Sequence, residues 1–141
     1  MGALFGHVLS AGHTGPSDAL IRPMQSALVH RGPDAQGAAV DGNAAIGGNW
    51  LDTGEGPAPE LPGKNADGKI LAVVDGPVRN GAALREALVA KGHALTGTSD
   101  AEIVAHLYEE YGTDLLRHLG GDQALAELDL RERSLLVARD C

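Results

Sequence analysis

The chain has 141 residues, of which 43% are hydrophobic, which is the size and composition of one globular domain with its own core. Its formal net charge of -8 opposes binding to phosphate backbones and excludes nucleic acid as a partner. The single cysteine, Cys141, cannot form an internal disulfide, and the first residues show neither a basic n-region nor a long apolar run. We therefore expect one cytoplasmic domain over residues 1–141 that makes no membrane contact.

The start of the chain predicts a strand followed by a helix. Residues 3–9 form a short apolar run of the kind that fits a buried strand, and residues 12–15 predict a turn. Pro16 and Ser17-Asp18 then indicate a helix start. The predicted helix has an apolar stripe formed by Leu20, Ile21, Met24 and Leu28. Gly32-Pro33 ends it.

A β-hairpin, a loop and a strand are expected next. Asp41-Gly42-Asn43 separates the segments 37–40 and 44–47, and Asp and Gly tolerate the left-handed angles of hairpin turns. Residues 52–68 contain prolines, glycines and charged side chains without periodicity, which predicts a long surface loop. Residues 69–74 form a compact apolar strand.

The second half of the chain predicts two helices and a closing hairpin. The helices cover 80–91 and 99–111, and Ser99 with Glu102 has the form of a capping box. Residues 123–130 and 134–138 predict the hairpin. Strands and helices that cluster in this way indicate an α+β fold with antiparallel pairing.

Four groups of residues follow one another in a recognisable order. They are His30-Arg31-Gly32-Pro33-Asp34, residues 73–80, Thr98 to Glu102 together with Tyr108 to Gly112, and residues 131–140. With this order and spacing, the chain resembles the N-terminal glutaminase domain of the asparagine synthetase family. Gly121-Asp122 and the opening Met1-Gly2-Ala3 are similar to the β-lactam synthetase branch of that family. These domains are class II glutamine amidotransferases of the N-terminal-nucleophile (Ntn) hydrolase type, so the resemblance implies an αββα sandwich of antiparallel sheets.

The resemblance also implies that a C-terminal part is missing. Family members continue beyond the segment matching Ala138 to Asp140 into further strands and an ATP-dependent synthetase domain. We therefore expect a C-terminally truncated sandwich that exposes an apolar sheet face or a naked edge. The expected partner is a second copy of the chain, in a homo-oligomer, or a separately encoded synthetase-like subunit.

The resemblance places the family's catalytic cysteine at position 2, where this chain has Gly2. Family members expose that cysteine by methionine removal and use the free α-amino group as the base. The arginine that grips the glutamine carboxylate corresponds to Trp50, which cannot act as a bidentate donor. The family's oxyanion hole, an Asn-Gly pair followed by Glu, corresponds to Asp75, Gly76 and Pro77. Asp75 adds negative charge there, and Pro77 has no N–H to donate.

Two positions keep the family pattern. Asp100 matches the acid that holds the substrate α-amino group, and Gly76 is retained, although helix capping by Asp100 and a turn at Gly76 explain these residues better. Arg31 and Asp34 are expected to fix the turn after the first helix. The candidate cleft residues are therefore Arg31, Trp50, Asp75, Gly76 and Asp100.

No metal or cofactor is expected. The histidines show neither an HxxxH pattern nor Cys/His ligand spacing; they are His7, His13, His30, His93, His106 and His118. The glycine pairs at 47–48 and 120–121 lack the strand–loop–helix context of a phosphate site.

Two interpretations of function remain open. The first is a catalytically inactive glutaminase-like protein that serves as a structural or regulatory partner of an asparagine-synthetase-like amide ligase. The second is an enzyme or small-molecule binder in a secondary-metabolite pathway. It would reuse the old glutamine cleft, with Asp75 and Asp100 as acid–base groups and Trp50 as a stacking wall.

Overall fold

The computed structural model describes residues 2–10, 12, 18–54 and 58–140. The predicted helix start at Pro16-Ser17, most of the predicted turn at 12–15, and Cys141 lie outside the described residues. The elements are β1 (Gly2–Val8), α1 (Asp18–Ala27), β2 (Ala35–Asp41), β3 (Ala44–Trp50), β4 (Gly63–Lys64), β5 (Ile70–Asp75), α2 (Gly81–Ala90), α3 (Asp100–Tyr111), β6 (Ala124–Asp129) and β7 (Ser134–Arg139). Apart from β4, this is the predicted order.

The strands form two antiparallel sheets. A three-stranded sheet has the order β1-β3-β2, and a four-stranded sheet has the order β4-β5-β6-β7. The predicted hairpin joins β2 to β3, with Asp41 paired to Ala44 and Gly42 at a φ of 56°. A positive φ of this kind is readily adopted by glycine, which explains the turn sequence.

Three apolar clusters separate the layers. Phe5, Ile21 and Ala45 pack α1 against the outer face of the three-stranded sheet. Ile46, Leu71, Val73 and Leu128 fill the space between the two sheets. Leu88, Val104, Leu107 and Leu125 pack α2 and α3 against the outer face of the four-stranded sheet. The layers therefore run α, β, β, α, and the predicted α+β sandwich is confirmed.

Local differences from the sequence-based expectation have physical reasons. Leu20 is 43% exposed, because the packed side of α1 is centred on Ile21 and only Met24 and Leu28 accompany it. The segment 52–68, predicted as a surface loop, contains β4, which pairs with Leu71 and Ala72 of β5. A short 3-10 helix, Gly112–Arg117, extends α3 without having been predicted.

The inner face of the edge strand β7 is exposed. Leu135 and Val137 pair with Leu128 and Ala126 of β6, which lie in the cluster between the sheets. Directly opposed residues of an antiparallel pair face the same side, yet Leu135 is 37% and Val137 63% exposed. The three-stranded sheet therefore leaves this apolar strip uncovered. None of the described helices is long and apolar enough to cross a membrane.

Candidate functional site

A cavity of about 490 Å³ opens where β1, β3 and β5 approach the start of α3. Its lining includes Gly2, Trp50, Asp75, Gly76 and Asp100, so the structure brings together the positions singled out from the sequence. Arg31 is not part of the described lining, but its side chain contacts two residues that are, Gly2 and Asp75.

Gly2 occupies a position with no space for a side chain. It pairs with Trp50 across the β1–β3 ladder, and its backbone N–H donates to Oδ1 of Asp75 at 2.6 Å. A Cβ atom built on Gly2 collides with the backbone carbonyl oxygen of Asn49. Any side chain at the start of β1 would therefore require the backbone to shift.

Arg31 connects a short 3-10 helix after α1, Val29–Arg31, to two strands. Its Nε donates to the carbonyl oxygen of Gly2 at 3.0 Å, and its Nη2 lies 3.9 Å from Oδ2 of Asp75. Asp34 accepts from the backbone N–H of Asp52 at 2.8 Å. Both side chains thus reach beyond the turn that they were expected to fix. Spacing along the sequence gives no signal for such long-range contacts.

The cavity wall carries negative rather than positive charge. Among the described lining residues there are carboxylates at Glu60, Asp75, Asp100 and Glu102 and no lysine or arginine. Trp50 forms one wall at the end of β3. A carboxylate in this cavity would meet no guanidinium from its described lining, whereas an ammonium group would be attracted.

The turn after β5 places Gly76 between a carboxylate and a proline, Asp75 and Pro77. Gly76 has a φ of 103°, and a Cβ there collides with the carbonyl oxygen of Asp122, so glycine is required by the backbone itself. Pro77 follows and has no N–H. Oδ1 of Asp75 is already bonded to Gly2. An anion in this corner would face a carboxylate.

Asp100 and Ser99 form the start of α3. Oδ2 of Asp100 accepts from the backbone N–H of Val78 at 2.9 Å, and burial raises the pKa of Asp100 above its usual value. Ser99 caps the helix by accepting from the N–H of Glu102 at 3.1 Å. The cap predicted from the sequence is therefore present.

The Glu102 side chain binds the loop before α3, which the capping-box pattern does not predict. Its carboxylate accepts from the backbone N–H groups of Thr96 at 2.6 Å and Gly97 at 2.9 Å, and Arg85 lies 3.4 Å away. Burial acts to raise the pKa of Glu102, but these donors outweigh it and lower the pKa. Glu102 holds the loop before α3, which forms part of the cavity wall.

Comparison with known proteins identifies the family. A family model described as a glutamine amidotransferase domain matches residues 1–141. The chain belongs to this family. The domain is 38% identical to asparagine synthetase [glutamine-hydrolyzing] 1 of Arabidopsis thaliana over 113 residues, which is 80% of this chain and 19% of that protein. It is 35% identical to the asparagine synthetase of Sandersonia aurantiaca, covering 80% of this chain and 21% of the relative.

A solved structure supports the same assignment. The amidotransferase domain is similar to glutamine phosphoribosylpyrophosphate amidotransferase from B. subtilis, with a TM-score of 0.54 and 27% identity. The match covers 72% of this chain and 24% of that chain. The domain thus spans about a fifth of the length of the two plant synthetases, 19% and 21%.

Proposed function

We propose that this amidotransferase domain does not hydrolyse glutamine and serves as a structural or regulatory partner of an asparagine-synthetase-like amide ligase. The observation that carries this proposal is the environment of Gly2. The position lacks a nucleophile, its Cβ direction is blocked by the Asn49 carbonyl, and its N–H is engaged by Asp75. The start of β1 thus supports strand packing and offers no atom that can attack an amide carbonyl.

The rest of the cavity supports the same proposal. Loss of one oxyanion donor lowers the rate of an acyl-transfer enzyme by about 100- to 1000-fold. Here Asp75 and Pro77 replace stabilising groups, and Trp50 stands where the family's carboxylate-binding arginine is expected. These differences affect separate requirements of glutamine hydrolysis. The enzyme must hold the substrate carboxylate, attack the amide carbonyl and stabilise the negative charge of the transition state.

The exposed strip on β7 supports the partner role. Leu135 and Val137 face the layer between the sheets but are covered by neither sheet. An uncovered apolar edge strand favours association with another chain. The partner in this proposal is a second copy or a separately encoded synthetase-like subunit in the cytoplasm.

Ammonia release from glutamine tests the absence of catalysis. The wild-type chain and the Gly2→Cys variant are compared with a buffer blank, and the Arabidopsis synthetase serves as positive control for the assay. We expect both forms of this chain to match the blank, because a thiol at position 2 still lacks space and an oxyanion site. Turnover by the wild type above the blank would overturn the proposal.

A second candidate function is binding of a small amine in the cavity. The open volume and the acidic lining favour it, and a carboxyl group whose pKa is raised by burial, as at Asp100, would also suit acid–base chemistry with Asp75. The only tryptophan is Trp50, so quenching of its fluorescence by primary amines measures binding directly. Quenching that is unchanged in Asp100→Asn would argue against this site.

A further inference from the structure

We propose that His93, His106 and Glu109 form a binding site for a divalent transition-metal ion such as Zn²⁺. The site is separate from the amidotransferase cavity, because Asp100 lines the cavity at the start of α3 whereas Glu109 lies near the end of that helix. His106 and Glu109 belong to α3, and His93 follows α2. The ligands thus come from two segments that the fold brings together. For this reason, the lack of a metal-ligand spacing pattern in the sequence does not exclude a site.

The distances fit a metal ion. Nδ1 of His93 lies 3.0 Å from Nδ1 of His106, and Oε2 of Glu109 lies 3.9 Å from each of these nitrogens. The circle through these atoms has a radius of about 2.1 Å, which is the usual Zn–N and Zn–O bond length. A single ion at its centre would contact all three residues without rearrangement of the backbone.

Further side chains orient two of the ligands. Nε2 of His93 lies 3.0 Å from Oε2 of Glu110, which favours a proton on Nε2 and a lone pair on Nδ1. That lone pair faces Nδ1 of His106 at 3.0 Å, and a bound ion would take the place of the proton between these two nitrogens. Oε1 of Glu109 accepts from Arg131 at 3.0 Å, which leaves Oε2 directed toward the histidines. Carboxylates that hold the outer nitrogen of a histidine are a regular feature of protein metal sites.

The ligand types are also suitable. His106 is 1% exposed, whereas the Glu109 side chain is 27% exposed, so an ion would reach the site from the side of Glu109. Two imidazole nitrogens with one carboxylate favour zinc and other late first-row ions over Mg²⁺ or Ca²⁺, which prefer oxygen ligands.

Calorimetric titration of the 141-residue chain with Zn²⁺ tests the site. Cys141→Ser is used as the background, because a terminal thiol is itself a zinc ligand. We expect one site per chain, and a higher Tm with Zn²⁺ because the ion joins the segment after α2 to α3. Glu109→Gln and His93→Gln should each lower the affinity at least about 10-fold, and Glu110→Gln should give a smaller loss.

Matched controls separate this site from binding elsewhere. Glu132→Gln and His30→Gln remove an exposed carboxylate and an exposed histidine at other positions and should leave the affinity unchanged. Glu109 is partly exposed, so its variant is expected to fold, which far-ultraviolet circular dichroism verifies. No binding at millimolar Zn²⁺, or equal affinity in the wild type and Glu109→Gln, would overturn the proposal.

Discussion

The backbone N–H of Gly2 donates to Oδ1 of Asp75 across 2.6 Å, and this bond joins the two sheets at the mouth of the cavity. Gly2 begins β1 of the three-stranded sheet, and Asp75 ends β5 of the four-stranded sheet. Asp75 thus has a structural partner where the resemblance leads one to expect a neutral oxyanion donor. This contact explains the aspartate, and the Asn49 carbonyl that blocks a Cβ atom explains the glycine.

Asp75→Ala should lower the free energy of unfolding by about 1.5–3 kcal/mol, the range for hydrogen bonds to charged groups. Asp75→Asn keeps an acceptor oxygen, so its free energy of unfolding should fall less than that of Asp75→Ala. Urea denaturation of both variants measures the difference. Asp114→Ala is the matched control, since that carboxylate is 70% exposed and pairs only with nearby Arg117. Equal stability of Asp75→Ala and Asp114→Ala would contradict the structural role.

Glu102→Gln should destabilise the domain more than Ser99→Ala. Loss of the Ser99 cap typically costs about 1 kcal/mol. The Glu102 carboxylate instead accepts from Thr96 and Gly97 and lies beside Arg85. Replacing one oxygen by an NH₂ group leaves buried donors unmatched, at about 2–3 kcal/mol.

The pH dependence separates these two effects. The pKa of Glu102 is lowered in the folded state, so its contribution is present above the unfolded value of 4.5 and is lost as the pH falls through the folded pKa. Wild type and Ser99→Ala should therefore lose this stability in acid, and Glu102→Gln should not. If the free energy of unfolding fell equally with decreasing pH in all three proteins, Glu102 would not be the group responsible.

The sequence could predict the elements because their signals are local. Apolar periodicity marks α2 and α3, and turn residues mark the β2–β3 hairpin, so the order of elements and the α+β class follow from short windows. β4 was missed because a two-residue strand has no period. Leu20 was misplaced because periodicity alone does not give the width of the surface that a helix packs against.

The site could be predicted only in part. The resemblance selected Gly2, Trp50, Asp75 and Asp100, which line one cavity. The reach of Arg31 to Gly2 and Asp75 depends on contacts between distant segments. The bonds of Glu102 to nearby Thr96 and Gly97 depend on how the loop before α3 folds. Neither leaves a trace in residue spacing. The approach of His93 to His106 was missed because it depends on contact between α3 and the segment after α2.

Glu127 should destabilise the domain at neutral pH. It is 1% exposed, and neither carboxylate oxygen has a hydrogen-bond partner in the described structure. Burial, reinforced by the charge of Asp129, raises the pKa of Glu127 to about 9 from an ordinary 4.5. The folded state therefore holds a proton that the unfolded state releases above its own pKa.

The sign follows from this difference in bound protons. Stability is greatest below the unfolded pKa and falls by about 1.4 kcal/mol per pH unit until the folded pKa is reached. Between pH 5 and pH 7.5 the wild type should lose about 3 kcal/mol. Glu127→Gln, which resembles the protonated acid, should lose much less, whereas the exposed control Glu132→Gln should follow the wild type. Urea unfolding across this pH range measures the loss of stability in each protein, and equal losses in Glu127→Gln and the wild type would contradict the prediction.

Val137→Lys should disrupt assembly without unfolding the domain. Val137 is 63% exposed on the inner face of β7, so a lysine there is solvated in the free chain but buries a charge under any partner that covers the strip. Val89→Lys is the matched control, because Val89 is 56% exposed on α2. Mass in solution by light scattering, and co-purification with a separately expressed asparagine-synthetase-like subunit, provide the measurements.

We expect the wild type and Val89→Lys to form the same oligomer or complex, and Val137→Lys to lose it at an unchanged Tm. An ion placed in an apolar interface is expected to weaken association far more than a surface charge, because its desolvation is not compensated. A wild type that remains monomeric and binds no such subunit would contradict the partner role. Unaltered assembly of Val137→Lys would show that the interface lies elsewhere than on β7.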